Sequence, residues 1–262
     1  MGYNSRYWGN KTQRAKEAQN HTIFMANSYV KEIKESLSDT KIYTDTVEIA
    51  TDRGSAYPRN TVIDLDSVGA IFKYASGKTC VLNFASYRNP GGKFIEGSKA
   101  QEECLCHASF LYNVLKGCMD YYSYNECHRN KGLYTNRALY TPKVLFFNDQ
   151  NEPLACDVLT CAAPNKSALF QFLDIESKQK IALNDKALRE RIKFIKDIVE
   201  DNGVDTFIAG AYGCGVFRQD AITVAQLFKS IFEQTTVKNM VYAIPRCMDK
   251  SNYDAFIKIF SN

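Results

Sequence analysis

Apolar residues recur at helical spacing over residues 10–38. There Ala15, Ala18, Ile23, Met25, Ala26, Tyr29, Val30 and Ile33 form a broad face among Lys, Glu and Gln, which predicts a helix. Residues 40–58 are mixed, with a turn expected at Asp52-Arg53-Gly54-Ser55. Residues 61–65 read as a strand that runs into a short helix capped at Asp66-Ser67. Residues 79–85 are a continuous apolar run of the kind a buried parallel strand shows. A helix pattern follows over 98–116, with Ala100, Cys104, Ala108, Leu111 and Leu115 on one side. Ser98 is its expected cap, and Gln101 would complete a capping box. Residues 118–142, rich in Tyr, Asn, His and Arg, read as an irregular excursion, and 166–183 as a surface loop. Between them, 143–147 and 155–163 are strand candidates, the second closed by Pro164-Asn165. The clearest helix is 184–202, where Leu188, Ile192, Ile195 and Val199 keep one face. Asn184 or Asp185 would cap it and Gly203 would stop it. Strands at 204–209 and 240–244 flank a helix over 220–234, and a short terminal helix ends the chain.

Strands alternating with helices, without repeats or long linkers, predict one α/β domain with a largely parallel or mixed sheet. In an open sheet of this kind, ligands bind where strands end and helix N-termini point outward. Two glycine-rich loops occupy such positions, at 90–97 and 210–217. Each can offer backbone N–H groups to an anion at close range. Behind the first loop stand Glu102 and Glu103 in the first turn of a helix. The residues alone admit two readings: acids that complement the helix dipole, or acids delivered to a phosphate-and-sugar site.

Competing nucleotide motifs fail. Ser76-Gly77-Lys78-Thr79 ends like a P-loop, but its upstream glycine position is Phe72 and a strand follows. Gly213-Cys214-Gly215 lacks the third glycine of a dinucleotide fingerprint, since that position is Arg218. There is no G-x-S-x-G elbow. A formal net charge of +4 excludes a uniform basic coat for nucleic acid. No apolar run reaches the roughly 20 residues a membrane helix needs. The N-terminus lacks the apolar core of a signal peptide, and Arg6 breaks the myristoylation pattern after Gly2. The nine cysteines include no CxxC pair, which predicts reduced, buried thiols, no metal site and a cytoplasmic protein.

The run Val81-Leu82-Asn83-Phe84-Ala85-Ser86-Tyr87-Arg88-Asn89-Pro90-Gly91-Gly92-Lys93-Phe94, with Ala100-Gln101-Glu102-Glu103, resembles the signature of the bacterial-type poly(ADP-ribose) glycohydrolases. So does Gly210-Ala211-Tyr212-Gly213-Cys214-Gly215-Val216-Phe217, in the matching order. The resemblance covers most of the chain. It implies a macrodomain-like three-layer α/β/α fold over residues 1–262, with an N-terminal helical extension of about residues 1–60. It implies a hydrolase that releases ADP-ribose from poly- or mono-ADP-ribose modifications. Glu103 would be the catalytic acid, and Glu102 would orient the ribose hydroxyls beside Gln101. Pro90, Gly91 and Gly92 would approach the distal ribose and diphosphate, with Asn89 a further ligand contact. Gly213, Cys214, Gly215 and Val216 would cradle the diphosphate, and Phe217 would pack on the ribose next to the scissile bond. Asn83 and Ser86 would contact that ribose, and Asp66 the adenine amino group.

Cleavage at the anomeric carbon passes through an oxocarbenium-like state, so a carboxylic acid must protonate the departing oxygen. Glu103 would then act as base toward water. No cofactor is implied. The expected partners are ADP-ribose or an ADP-ribosylated protein or nucleic acid, with the chain a monomer. The alternative is a reader that binds ADP-ribose without turnover. Two positions depart from the family pattern: Lys93 replaces a third loop glycine, and His107 stands where the helix usually carries Arg.

Overall fold

In β3 (Thr79–Phe84), Cys80 and Leu82 face one hydrophobic core and Val81 the other, and all three are fully buried. The same alternation repeats in β6 (Thr206–Ala209) and β7 (Asn239–Ala243). Phe207, Ala209, Met240 and Tyr242 point to the first core, Ile208 and Val241 to the second. A strand whose alternate residues are both apolar must be covered on both faces, which dictates helices on either side.

The computed structural model describes residues 9–45, 56–246 and 250–261. The remaining strands are β1 (Lys41–Thr44), β2 (Arg59–Ile63), β4 (Arg137–Phe147) and β5 (Pro153–Cys161). The seven form one mixed sheet in the order β1-β4-β5-β3-β6-β7-β2. The pairs β5–β3, β3–β6, β6–β7 and β7–β2 are parallel, while β1–β4 and β4–β5 are antiparallel.

One face carries α1 (Lys11–Ser28), α2 (Val30–Ser38), α3 (Ser67–Tyr74), α4 (Gln101–His107), α5 (Leu111–Leu115) and α6 (Met119–Cys127). A four-residue α7 (Lys166–Leu169) precedes the helices of the opposite face: α8 (Ser177–Asp201), α9 (Ala221–Ile231) and α10 (Ser251–Phe260). This is the macrodomain-like α/β/α arrangement the resemblance implies.

Several boundaries move. The 10–38 helix breaks at Tyr29 into α1 and α2. The 98–116 helix breaks after His107, and its cap is Ala100, not Ser98. Glu103 is the residue whose carboxylate takes the Ala100 N–H, at 3.0 Å. The excursion at 118–142 contains α6 and the start of β4, which bulges between Thr141 and Val144. The 166–183 loop holds α7 and the first turns of α8. Asn184 is consequently no cap; it is buried in mid-helix and hydrogen-bonded to Gln219. Gly203, at φ +65°, does end that helix. The turn expected at 52–55 lies outside the described residues, as do Gly2 and Arg6.

Candidate active site

The two glycine loops follow β3 and β6, adjacent strands of the sheet, so both empty at the same edge. Between them lies a cleft of about 390 Å³. Of the residues singled out in sequence, Ser86, Asn89, Gly92, Gln101, Glu102, Glu103, Gly213, Gly215, Val216 and Phe217 line it. Tyr212, Phe84 and Lys93 line it too.

The first loop is shaped by left-handed backbone. Gly91 and Gly92 both sit at φ +63°, a region open to glycine at little cost. At Gly92 a Cβ would come within 2.7 Å of Glu103 Oε1 and 3.0 Å of Glu102 Oε2, so a side chain would invade the acid pair. Lys93, by contrast, has no left-handed φ. Its backbone needs no glycine, and its side chain runs outward to Glu96 at 3.8 Å.

Each acid is held from the loop. Glu102 Oε2 accepts from Ser86 N–H at 2.7 Å, and Glu102 Oε1 from Asn83 Nδ2 at 3.1 Å. Glu103 Oε1 accepts from Lys93 N–H at 3.0 Å, its other oxygen being taken by Ala100. Both carboxylates are buried. Burial pushes the Glu102 carboxyl up to about 8, and the neighbouring Glu103 pushes the same way. The hydrogen bonds from Ser86, Asn83 and Gly91 oppose this without reversing it. Glu102 therefore holds a proton at neutral pH.

Gln101 spends its amide inside the protein. Its Oε1 accepts from Phe84 N–H at 2.9 Å, and its Nε2 donates to Leu82 O at 2.8 Å and Ser67 Oγ at 3.0 Å. It thus ties the start of α4 to β3 and α3. Asn83 stands behind the acids, also donating to Thr160, and its own Oδ1 is buried with no donor among the described residues.

The second loop turns twice, with Cys214 N–H donating to Ala211 O and Arg218 N–H to Gly215 O. Gly213 is at φ +75°, and a Cβ there would reach Ala163 at 2.8 Å. Among the described residues, the N–H groups of Gly215, Val216 and Phe217 have no protein acceptor. Three successive free donors at a cleft are what a phosphate requires. Tyr212 anchors the loop from beneath, donating to Cys161 O at 3.1 Å. Cys214 turns its thiol inward, and burial raises it to about 12, so it is a packing group. Asp66 caps α3, accepting from Gly69 N–H at 2.7 Å, and does not line the cleft.

Further side chains support the site from outside it. Phe94 is fully buried and packs edge-on against His107 at 4.6 Å, and Arg14 of α1 donates to Gly97 O at 2.7 Å, bracing the first loop. Tyr134, at φ +62°, stacks on Tyr87 at 4.0 Å and meets the Phe217 ring at 6.1 Å. Arg191 of α8 is buried and donates to Asn136, Leu133 O and Ala162 O, joining the excursion to the end of β5. Among the described residues, no group of three or more His, Cys, Asp or Glu could hold a metal ion. No helix among them is long and apolar enough to cross a membrane.

The family model for the catalytic domain of microbial-type PARG, poly(ADP-ribose) glycohydrolase, matches residues 10–149. The chain belongs to this family. The glycohydrolase fold extends beyond that match. The structure of poly(ADP-ribose) glycohydrolase from Thermomonospora curvata superimposes with a TM-score of 0.80 at 23% identity, covering 95% of this chain and 100% of that one. The enzyme from Deinococcus radiodurans, solved in complex with ADP-ribose, gives 0.76 at 27% identity over 87% and 97%. No curated protein sequence matches this glycohydrolase. By family it is an ADP-ribose glycohydrolase.

Proposed function

We propose that this chain releases ADP-ribose by hydrolysing the bond at the anomeric carbon of the distal ribose, with Glu103 as general acid and then base. The observation that carries the proposal is a pair of adjacent buried acids sharing one cleft with a glycine loop whose Gly215, Val216 and Phe217 N–H groups have no protein acceptor among the described residues. Diphosphate on the 215–217 donors would hold the ribose over the acids, and Phe217 would cover it. Glu102, protonated at neutral pH, can donate to a ribose hydroxyl while accepting from another donor. Asn83, buried behind the acids, holds Glu102 Oε1 from Nδ2 and so fixes the acid beside the sugar. Charge built up on the ribose in the oxocarbenium-like state is stabilised by the adjacent diphosphate. Glu103 first protonates the departing oxygen and then takes a proton from the attacking water.

ADP-ribose is the ligand this cleft fits, and the substrate is an ADP-ribose modification carried on a polymer, a protein or a nucleic acid. The fold closes around one site within one chain, which supports a monomeric, single-domain enzyme. The experiment is ADP-ribose release from poly(ADP-ribose) and from singly modified peptides by the full chain. Release is expected. Tight ADP-ribose binding with no release from any substrate would make the chain a reader instead.

A further inference from the structure

Arg14, Ala18, His21 and Met25 share one stripe of α1, at the spacing i, i+4, i+7 and i+11. Ala18, His21 and Met25 are buried along it, and His21 Nε2 lies 2.8 Å from Ser109 O. Asn113 Nδ2 of α5 donates to Thr22 O at 3.0 Å, so the second half of α1 is fixed from beneath. The remaining position of the stripe, one turn nearer the helix start, is a half-buried arginine where the pattern calls for an apolar residue. Arg14 Nε donates to Gly97 O at 2.7 Å, and its Nη1 donates to Gly9 O. The helix thus meets the first glycine loop as an arm anchored at its far end.

Gly97 receives that arm. It sits at φ +77°, and a Cβ there would fall onto Lys11 O and within 2.7 Å of Ala15 N. Only glycine lets the helix backbone come so close. Within the loop, Gly97 N–H donates to Phe94 O at 2.9 Å, and the Glu96 and Ser98 N–H groups both donate to Lys93 O at 3.1 Å. Residues 93–98 are thereby closed into one compact turn. Lys93 N–H, at its start, donates to Glu103 Oε1 at 3.0 Å. Ala100 N–H, just past its end, donates to Glu103 Oε2 at 3.0 Å. The two amides that hold the Glu103 carboxylate therefore flank the residue that α1 grips.

We propose that Arg14 is a positioning residue for catalysis: through Gly97 it sets the two amides that aim the Glu103 carboxylate. The proposal rests on the glycohydrolase reading, with Glu103 as acid and base. Arg14 does not line the cleft, so its effect falls on turnover and not on ligand binding. One amide on each oxygen fixes the plane of the carboxylate and favours its ionised form. A shift of about 1 Å in a reacting group can cost on the order of a hundredfold in rate.

The test introduces Arg14→Met into the wild-type chain and into the Glu103→Gln chain. Methionine keeps the apolar stem on the stripe and removes the donors, and a thermal melt checks that the fold is kept. In the wild-type chain, kcat for ADP-ribose release should fall at least tenfold, on polymer and on a singly modified peptide alike, with KM within threefold. In the Glu103→Gln chain the same change should cost less than twofold, because the carboxylate through which Arg14 acts is gone. An unchanged kcat, a loss carried by KM, or an equal loss in both chains would overturn the proposal. Amide hydrogen exchange reads the same contact without turnover. The Lys93 and Ala100 amides should exchange at least tenfold faster in Arg14→Met while those of β3 stay within twofold, and unchanged exchange at the two amides would overturn the proposal. Gly97→Ala, which pushes the loop off α1 from the other side, should reproduce the faster exchange and the kcat loss; it decides the matter if Arg14→Met does not fold. If the wild type releases no ADP-ribose, the glycohydrolase reading fails, and the exchange measurement still shows whether Arg14 holds the two amides.

Discussion

The Ser86 N–H donates to Glu102 Oε2 at 2.7 Å, so the residue that leaves β3 holds an acid that enters α4. That acid is nonetheless buried enough to stay protonated to about pH 8. An unfolded Glu titrates near 4.5, so above that the unfolded chain has lost a proton the folded chain keeps. Stability must therefore fall as pH rises from there to about 8, by about 1.4 kcal/mol per pH unit. Burial lowers His21, and lowers His107 to about 4, which works in the opposite direction up to their unfolded value of 6.5. The Glu102 slope thus stands clear between 6.5 and 8. Denaturant melts of wild type and Glu102→Gln across that window should show the variant gaining relative stability with pH.

Gly92→Ala should lower kcat/KM at least tenfold. The added methyl meets both carboxylates, and the φ of +63° strains any L-residue by about 1–2 kcal/mol. Steady-state kinetics beside a thermal melt check this. An active variant would mean that the acid pair tolerates displacement.

Lys93→Ala should change turnover and ADP-ribose binding by less than threefold. The Lys93 ammonium is 3.8 Å from Glu96 and both are well exposed, a pairing worth little. What the acid site uses at this position is the backbone N–H, which alanine retains.

Tyr134 has a left-handed backbone, and its ring stacks on Tyr87 and meets Phe217. Tyr134→Gly relieves the backbone and removes the ring, so the protein should still fold while Phe217 loses its support. A fall of about tenfold in kcat, with Tyr134→Phe close to wild type, is the expected kinetic pattern.

The sheet, both loops and the acid pair were legible because their signals are local: apolar runs, glycines in turns, and two carboxylates in one helix turn. The supports were not. Tyr134 sits in a segment whose polar, aromatic composition reads as irregular, and Arg191 is a cation in a helix whose legible face is apolar; their roles depend on partners far away in sequence, Phe217 for one and Ala162 for the other. Asn184 looked like a cap because an Asn before an apolar periodic run usually is one. In the fold Gln219, beneath the second loop, takes its amide at 3.0 Å. Gln101 reads as a ligand contact in the motif, yet three hydrogen bonds commit it to holding α4 in place.

Glu103 is buried at the cleft and held by the Lys93 and Ala100 amides. The most direct test is ADP-ribose release from poly(ADP-ribose) by wild type and Glu103→Gln, with ADP-ribose affinity measured on both. Glutamine keeps the shape but cannot shuttle the proton. A loss of at least a thousandfold in kcat with affinity within about fivefold is the predicted result. Equal release by the two proteins would contradict the account.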